Sequence, residues 1–272
     1  MKPLADWPLA ERRNIIGVFT DIDDTLTTHG DITPDALKAL VDLKAAGLHI
    51  IPITGRPVGW VEPLAHRLPV DAIVAENGSV AVKKRLQPAY LLPKQLLKLY
   101  QTDTATRVDN MARMAEIAQQ VLAKIPTAKL SRDHAGRETD LAFDYSEFEN
   151  LPPVTVQHIV QFLLQAGMQT TVSSIHIHGC FGQFDKWLGA QWIVRELFQR
   201  DLASELDKWV FVGDSGNDQA MFQHFTHSFG VANIRNIIQL FPPQLTHFPR
   251  YVTLSERGAG FAQVTQALLQ SR

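Results

Sequence analysis

The chain has 272 residues, enough to bury a substantial core as one large domain or two modest ones. Its 26 Lys and Arg against 28 Asp and Glu leave a net charge of -2, so composition gives no electrostatic ground for nucleic acid or an anionic membrane as partner. The N-terminal stretch lacks the apolar core of a signal peptide, no run approaches the ~20 apolar residues of a membrane span, and the single cysteine, Cys180, permits no intrachain disulfide; the expectation is a soluble cytoplasmic protein, monomeric or a small homo-oligomer.

In chain order, the apolar run Ile15-Ile16-Gly17-Val18 leads into Phe19-Thr20-Asp21-Ile22-Asp23-Asp24-Thr25-Leu26. An apolar run ending in three carboxylates reads as a buried strand delivering charge to the end of a sheet, where open α/β folds place ligands. If the strand persists, Asp21 and Asp23 share a face. Like charges held there need a cation, and a hard, oxygen-ligated ion such as Mg2+ is the natural candidate. The alternative is a strand end followed by an Asp-rich turn. Thr33 and Pro34 then suit a helix start, and Gly47 its end. Leu37, Leu40, Val41 and Leu43 supply an apolar stripe. A strand over 48–53 ends at Thr54-Gly55-Arg56 and completes a right-handed crossover unit. Another over 72–75 leads to the turn Glu76-Asn77-Gly78-Ser79.

From residue 83 to 184 the pattern changes. Helices are expected over 107–124 and 154–166, and strands with one wet face over 139–145 and 173–178. Residues 83–184 therefore read as an inserted α+β domain between core segments 1–82 and 185–272. After Lys186 come a helix over 187–198, the strand Trp209-Val210-Phe211-Val212, the polar turn Gly213-Asp214-Ser215-Gly216-Asn217-Asp218, a helix over 218–225, strands over 228–232 and 251–254, and a loop at Pro242-Pro243.

Taken together, Asp21-Ile22-Asp23-Asp24-Thr25, Thr54-Gly55-Arg56, Lys186 and Gly213-Asp214-Ser215-Gly216-Asn217-Asp218 resemble the four motifs of the haloacid dehalogenase (HAD) superfamily, in order and spacing. The resemblance implies an α/β fold: a Rossmann-like, doubly wound parallel-sheet core with an inserted cap. The cap's place is similar to the C2 type of the IIB branch, which includes sucrose-phosphate, trehalose-phosphate and mannosyl-3-phosphoglycerate phosphatases and phosphomannomutase. It also implies chemistry. Asp21 would be the nucleophile that forms an aspartyl-phosphate, and Asp23 the general acid and then base. Mg2+ would be held at Asp21, Asp23 and Asp214, with Asp218 beside them. Thr54, Gly55, Lys186 and Asn217 would bind the phosphoryl oxygens, where placing positive charge and donors is most of the catalytic task. Two positions depart from the pattern: Asp24 and Trp187 stand where relatives often have Gly, and Trp187 is expected to restrict the pocket beside Lys186.

Specificity falls to the cap, because the core offers contacts only to phosphate and metal. Within the polar stretch Ser131 to Asp140, the candidates are Arg132, His134, Arg137 and Glu138, against the reading of a solvated loop. His176 and His178 alternate on one strand face. They are a candidate zinc pair lacking a third ligand, or His178 alone lines the mouth of the site. Cys180 is expected to be a pocket-lining or core group rather than a nucleophile. The leading reading is a phosphatase of a small sugar phosphate. Its rivals are a phosphomutase and a low-turnover binding relative.

Overall fold

In a computed structural model the described residues are 1–85, 95–236 and 245–271; the loop expected at Pro242-Pro243 lies outside them. Among these residues the central sheet has six parallel strands, in the order Lys2–Pro3, Tyr251–Val252, His227–Gly230, Trp209–Gly213, Gly17–Thr20 and His49–Pro52. The central strands are near-continuous apolar runs because both faces are covered. Alternation sorts their side chains: Val18, Ile50, Val210 and Val212 enter one core layer, while Phe19, Ile51 and Phe211 enter the other. Helices Pro34–Ala45, Val58–Arg67 and Arg257–Leu269 pack on the first layer, and Lys186–Phe198 and Gln219–His224 on the second. A parallel sheet covered on both faces by helices is the doubly wound α/β architecture.

The expected stripe of the helix Pro34–Ala45 needs correction. Ala36, Ala39, Leu40 and Leu43 are buried, whereas Leu37 and Val41 are exposed. The buried set follows i, i+3, i+4, i+7 once the two alanines are counted as apolar contacts, which turns Leu37 and Val41 outward.

A second sheet, antiparallel and four-stranded among the described residues, has the order Gln169–Val172, His176–Cys180, Leu141–Asp144 and Lys129–Leu130. Helices Thr104–Lys124 and Pro153–Gln165 cover one of its faces, burying Leu141, Phe143 and Ile177 with Met114, Val121 and Ile159. The other face carries Ala142, Asp144, His176 and His178 toward the core domain. This sheet is the cap.

The expected boundary at residue 83 falls inside the strand Val80–Lys84, which pairs with Ile73–Ala75 on one side and Leu96–Tyr100 on the other. A parallel bridge from Ile53 to Val74 joins that ribbon to the central sheet. Hydrogen bonding thus keeps 96–100 with the core. No helix of the described residues is long and apolar enough to cross a membrane.

Candidate active site

The site forms where the parallel strands end. The strand Gly17–Thr20 stops one residue before Asp21, whose N–H donates to the Val212 carbonyl at 2.8 Å. Period-two alternation therefore does not by itself place Asp23, yet both carboxylates line one pocket with Thr54, Arg56, His178 and Asn217.

Lys186 is fully buried and donates to Asp21 Oδ1 at 2.5 Å and to Asp218 Oδ1 at 2.6 Å. Its helix is capped by Asp185, which accepts from Leu188 N–H at 2.7 Å. The helix lies against the turn Glu76–Gly78 almost backbone to backbone. A Cβ on Gly189 would sit 3.0 Å from the Gly78 carbonyl oxygen, and Gly78 itself has a φ of +112°. Only glycine at both positions allows this approach. It is what brings Lys186 beneath Asp21.

Asp218 Oδ2 accepts from the N–H groups of Asp214 and Ser215 at 2.9 and 3.0 Å. Asp214 accepts from Thr25 Oγ1 at 3.3 Å and Asn233 Nδ2 at 2.9 Å. Asp24 holds a φ of 54°, the left-handed region in which glycine is favoured, and pairs with Arg257 at 2.9 Å.

Carboxylate oxygens of Asp21, Asp214 and Asp218 lie within 4.8 Å of one another, all buried. Burial pushes Asp21 up to about 8; Lys186 opposes the shift, and Asp218 and Asp23 add to it. Burial, with Asp21 and Asp218 nearby, also drives Asp214 well above the carboxylate range. For Lys186 burial acts downward, but Asp21 and Asp218 outweigh it and hold the ammonium protonated. Fully ionised, three buried carboxylates against this one ammonium would carry a double negative charge, which is why Asp21 and Asp214 are raised in the absence of a cation. Hard oxygen donors and that charge fit a divalent cation.

A second cluster spans core and cap. Arg56 donates to both oxygens of Asp23 at 2.8 to 3.0 Å, and to Glu147 at 2.7 Å and Asp133 at 3.2 Å in the cap. Thr54 Oγ1 accepts from Arg56 N–H at 3.1 Å, which leaves its own O–H for another acceptor. Arg137 is buried and donates to Asp140 at 2.7 Å, to Asp133 at 3.2 Å and to the Gly55 carbonyl at 3.1 Å. Glu76 accepts from the N–H groups of Val58 in the core and of Glu138 and Thr139 in the cap, at 3.1, 3.0 and 2.6 Å. These contacts close the cap over the pocket.

The expected site residues separate accordingly. Asp21, Asp23, Thr54, Gly55 and Asn217 meet in the pocket, with Lys186, Asp214 and Asp218 beneath. Of the cap candidates, His178 reaches it. Arg132 is exposed and stacks on Phe148 at 3.7 Å. Glu138 turns to Lys98, at 2.7 Å, and to Tyr100. Arg137 is a brace reaching the Thr54-Gly55-Arg56 backbone rather than a group that lines the pocket, and His134 lies half-buried outside its lining. His176 and His178 face different carboxylates, Glu147 at 2.9 Å and Asp140 at 3.1 Å, so they do not converge on one ion. Trp187 does not restrict the pocket; it is buried in the second core layer, stacked on His224 at 4.5 Å. Burial pushes the Cys180 thiol up to about 12, so it is no thiolate at neutral pH.

Sequence reasoning missed the partners of Arg56. Asp133 lay within the polar stretch, but Glu147 had no local signal, because its role exists only once cap and core meet. Thr25, quoted only as part of the first motif, and Asn233 were not given the role of holding Asp214, because both contacts join core residues distant in sequence.

The sequence profile of haloacid dehalogenase-like hydrolases matches residues 18–166. No curated protein matches the sequence. Solved structures resemble the chain at low identity. A Thermoplasma acidophilum protein is 17% identical with a TM-score of 0.67, over 94% of this chain and 98% of that one. The sucrose-phosphatase of a Synechocystis species, solved with sucrose and phosphate, is 15% identical with a TM-score of 0.61, over 93% and 97%. The C-terminal domain of C. albicans trehalose-6-phosphate phosphatase is 14% identical with a TM-score of 0.64, over 100% and 98%. At these identities the likeness establishes the fold.

Proposed function

The chain belongs to the haloacid dehalogenase-like hydrolase family, and we propose that it is a magnesium-dependent phosphatase cleaving a small sugar phosphate through an aspartyl-phosphate. The observation that carries this reading is the cluster of Asp21, Asp214 and Asp218 around Lys186, with Asp23 and Thr54 in the same pocket. The sugar is taken from the substrates named for two structural neighbours and from a cap that closes polar groups over the pocket.

Asp21 attacks phosphorus and displaces the ester oxygen, which takes its proton from Asp23. Water then attacks the phosphoryl group on Asp21, Asp23 accepts the proton, and phosphate leaves. Lys186 neutralises part of the charge gathered on Asp21 and the phosphoryl oxygens, and the free O–H of Thr54 donates to one of them. Mg2+, held by Asp21 and Asp214 and by the backbone at Asp23, would supply Lewis-acid neutralisation of the phosphoryl charge; Asp218, already tied to Lys186 and two backbone N–H groups, orients the others. Arg56 occupies both Asp23 oxygens in the closed cap, so its fork withdraws toward Glu147 and Asp133 when Asp23 meets the leaving oxygen.

The test is phosphate release from p-nitrophenyl phosphate and a sugar-phosphate panel, with and without Mg2+. Expected is metal-dependent release that drops at least about a thousandfold in Asp21→Asn, the scale of losing a covalent nucleophile. Release that persists in Asp21→Asn overturns the reading; silence on every ester, with isomerisation of a sugar phosphate in the presence of a bisphosphate, identifies a mutase instead.

A further inference from the structure

His178 is 3% exposed and lines the pocket that holds Asp21, Asp23 and Thr54. It stands on the cap strand His176–Cys180, opposite Ala142, on the face turned away from the cap's helices. Its Nδ1 lies 3.1 Å from Asp140 Oδ2, and Asp140 receives Arg137 at 2.7 Å on its other oxygen. Burial works against ionisation of Asp140, but Arg137 and His178 outweigh it and hold the carboxyl below its usual range. An ionised carboxylate only accepts, so the imidazole proton sits on Nδ1.

Burial lowers His178 to about 4, with Asp140 opposing and Arg137 and His176 adding to it. The ring is therefore neutral at pH 7 and carries one proton. Nε2 is left with a lone pair and no hydrogen. That atom is buried and has no hydrogen-bond partner among the described residues. An unmet buried acceptor is destabilising, and in a pocket it marks a place for a donor.

The ring edge faces the backbone of Thr54-Gly55-Arg56: a Cβ on Gly55 would lie 2.8 Å from Nε2. Nε2 thus stands beside the phosphoryl position without suiting it. Ionised phosphoryl oxygens accept, and two acceptors do not pair. What fits is a neutral donor carried by the rest of the substrate. We propose that His178 Nε2 accepts a hydrogen bond from a hydroxyl of the leaving group, close to the phosphoester carbon, and so selects polyol and sugar phosphates over deoxy esters of the same size. This inference rests on the phosphatase reading of Asp21.

The experiment compares glycerol 3-phosphate with n-propyl phosphate, equal in chain length and differing in hydroxyls. Wild-type enzyme is expected to favour the glycerol ester in kcat/KM by about tenfold, the size of one neutral hydrogen bond in a buried site. His178→Phe, which keeps a ring and removes the acceptor, brings the ratio to within about twofold of unity. An unchanged ratio in a folded variant overturns the proposal. Should His178→Phe fail to fold, long-range 1H–15N spectra of 15N-labelled Asp21→Asn protein decide instead. Expected are a proton on Nδ1 of His178 and an Nε2 resonance that moves with glycerol 3-phosphate and not with n-propyl phosphate. A proton on Nε2, or equal movement with both esters, overturns it. Wild-type hydrolysis of neither ester counts against the phosphatase reading alone, since the spectra still report whether the hydroxyl is bound.

Discussion

Two charge clusters meet at the pocket, and they are built differently. The one around Lys186 draws its members from ends of neighbouring parallel strands and two helix starts, all in the core, and its side chains are 0 to 6% exposed. The one around Arg56 draws Asp23 from the core and Asp133 and Glu147 from the cap, and those carboxylates are 14 to 19% exposed. The first exists whatever the cap does. In the second, the Arg56–Asp23 pair also lies in the core, but the arms to Asp133 and Glu147 require cap and core to be in contact. On the proposed reading, the groups that do the chemistry lie in one domain and the contacts that would control access lie between two.

Substitutions should separate the clusters, and the largest effect belongs to Lys186→Met. It leaves Asp21 and Asp218 buried without their cation, a loss on the order of 3–5 kcal/mol in urea-unfolding stability measured without metal, and turnover should vanish with it. A cost below about 1 kcal/mol would mean that the carboxylates find another partner. Arg56→Ala should cost less, about 1–3 kcal/mol, because its partners reach water. Its signature is faster proteolysis between cap and core, with kcat reduced more than KM is raised. Unchanged proteolysis would show that Arg137 and Glu76 hold the cap unaided.

Acid should open the same seam. Burial pushes Asp133 upward, but Arg137, Ser131, His176 and Arg56 hold it down at about 2. A depressed carboxyl contributes stability that is complete above its ordinary value near 3.8 and lost as pH falls toward 2. Hydrogen exchange at the seam should therefore accelerate over that window, and Asp133→Asn should flatten the change. The smallest effect is expected at the exposed pair of Lys38 with Asp42, 2.6 Å apart and 73% and 39% exposed. Lys38→Ala should shift stability by at most about 0.5 kcal/mol.

The Lys186 cluster was legible in the sequence because each member ends an apolar run or opens a helix, and such boundaries are local. Asp21, Asp214 and Lys186 are all of this kind. The parallel core was legible for the same reason. The Arg56 cluster was not, because Glu147 and Asp133 acquire meaning only when the cap sheet lies on the core. The ribbon strand Leu96–Tyr100 was assigned to the cap for want of a local sign that it pairs with Val80–Lys84. Strand pairing is a non-local fact. The helix stripe failed differently: large residues at Leu37 and Val41 hid the buried alanines. Glycine chemistry was half legible. Gly78 was marked as a turn, but nothing local joined it to Gly189.

The most direct measurement is acid-quench trapping with intact-protein and peptide mass spectrometry, milliseconds after enzyme meets a turned-over phosphate ester and Mg2+. Expected is one phosphoryl group on the peptide carrying Asp21, absent in Asp21→Asn and accumulating in Asp23→Asn, where the base that activates water is missing. A phosphoryl group on another residue, or trapped label in Asp21→Asn, would contradict the assignment of Asp21 as nucleophile.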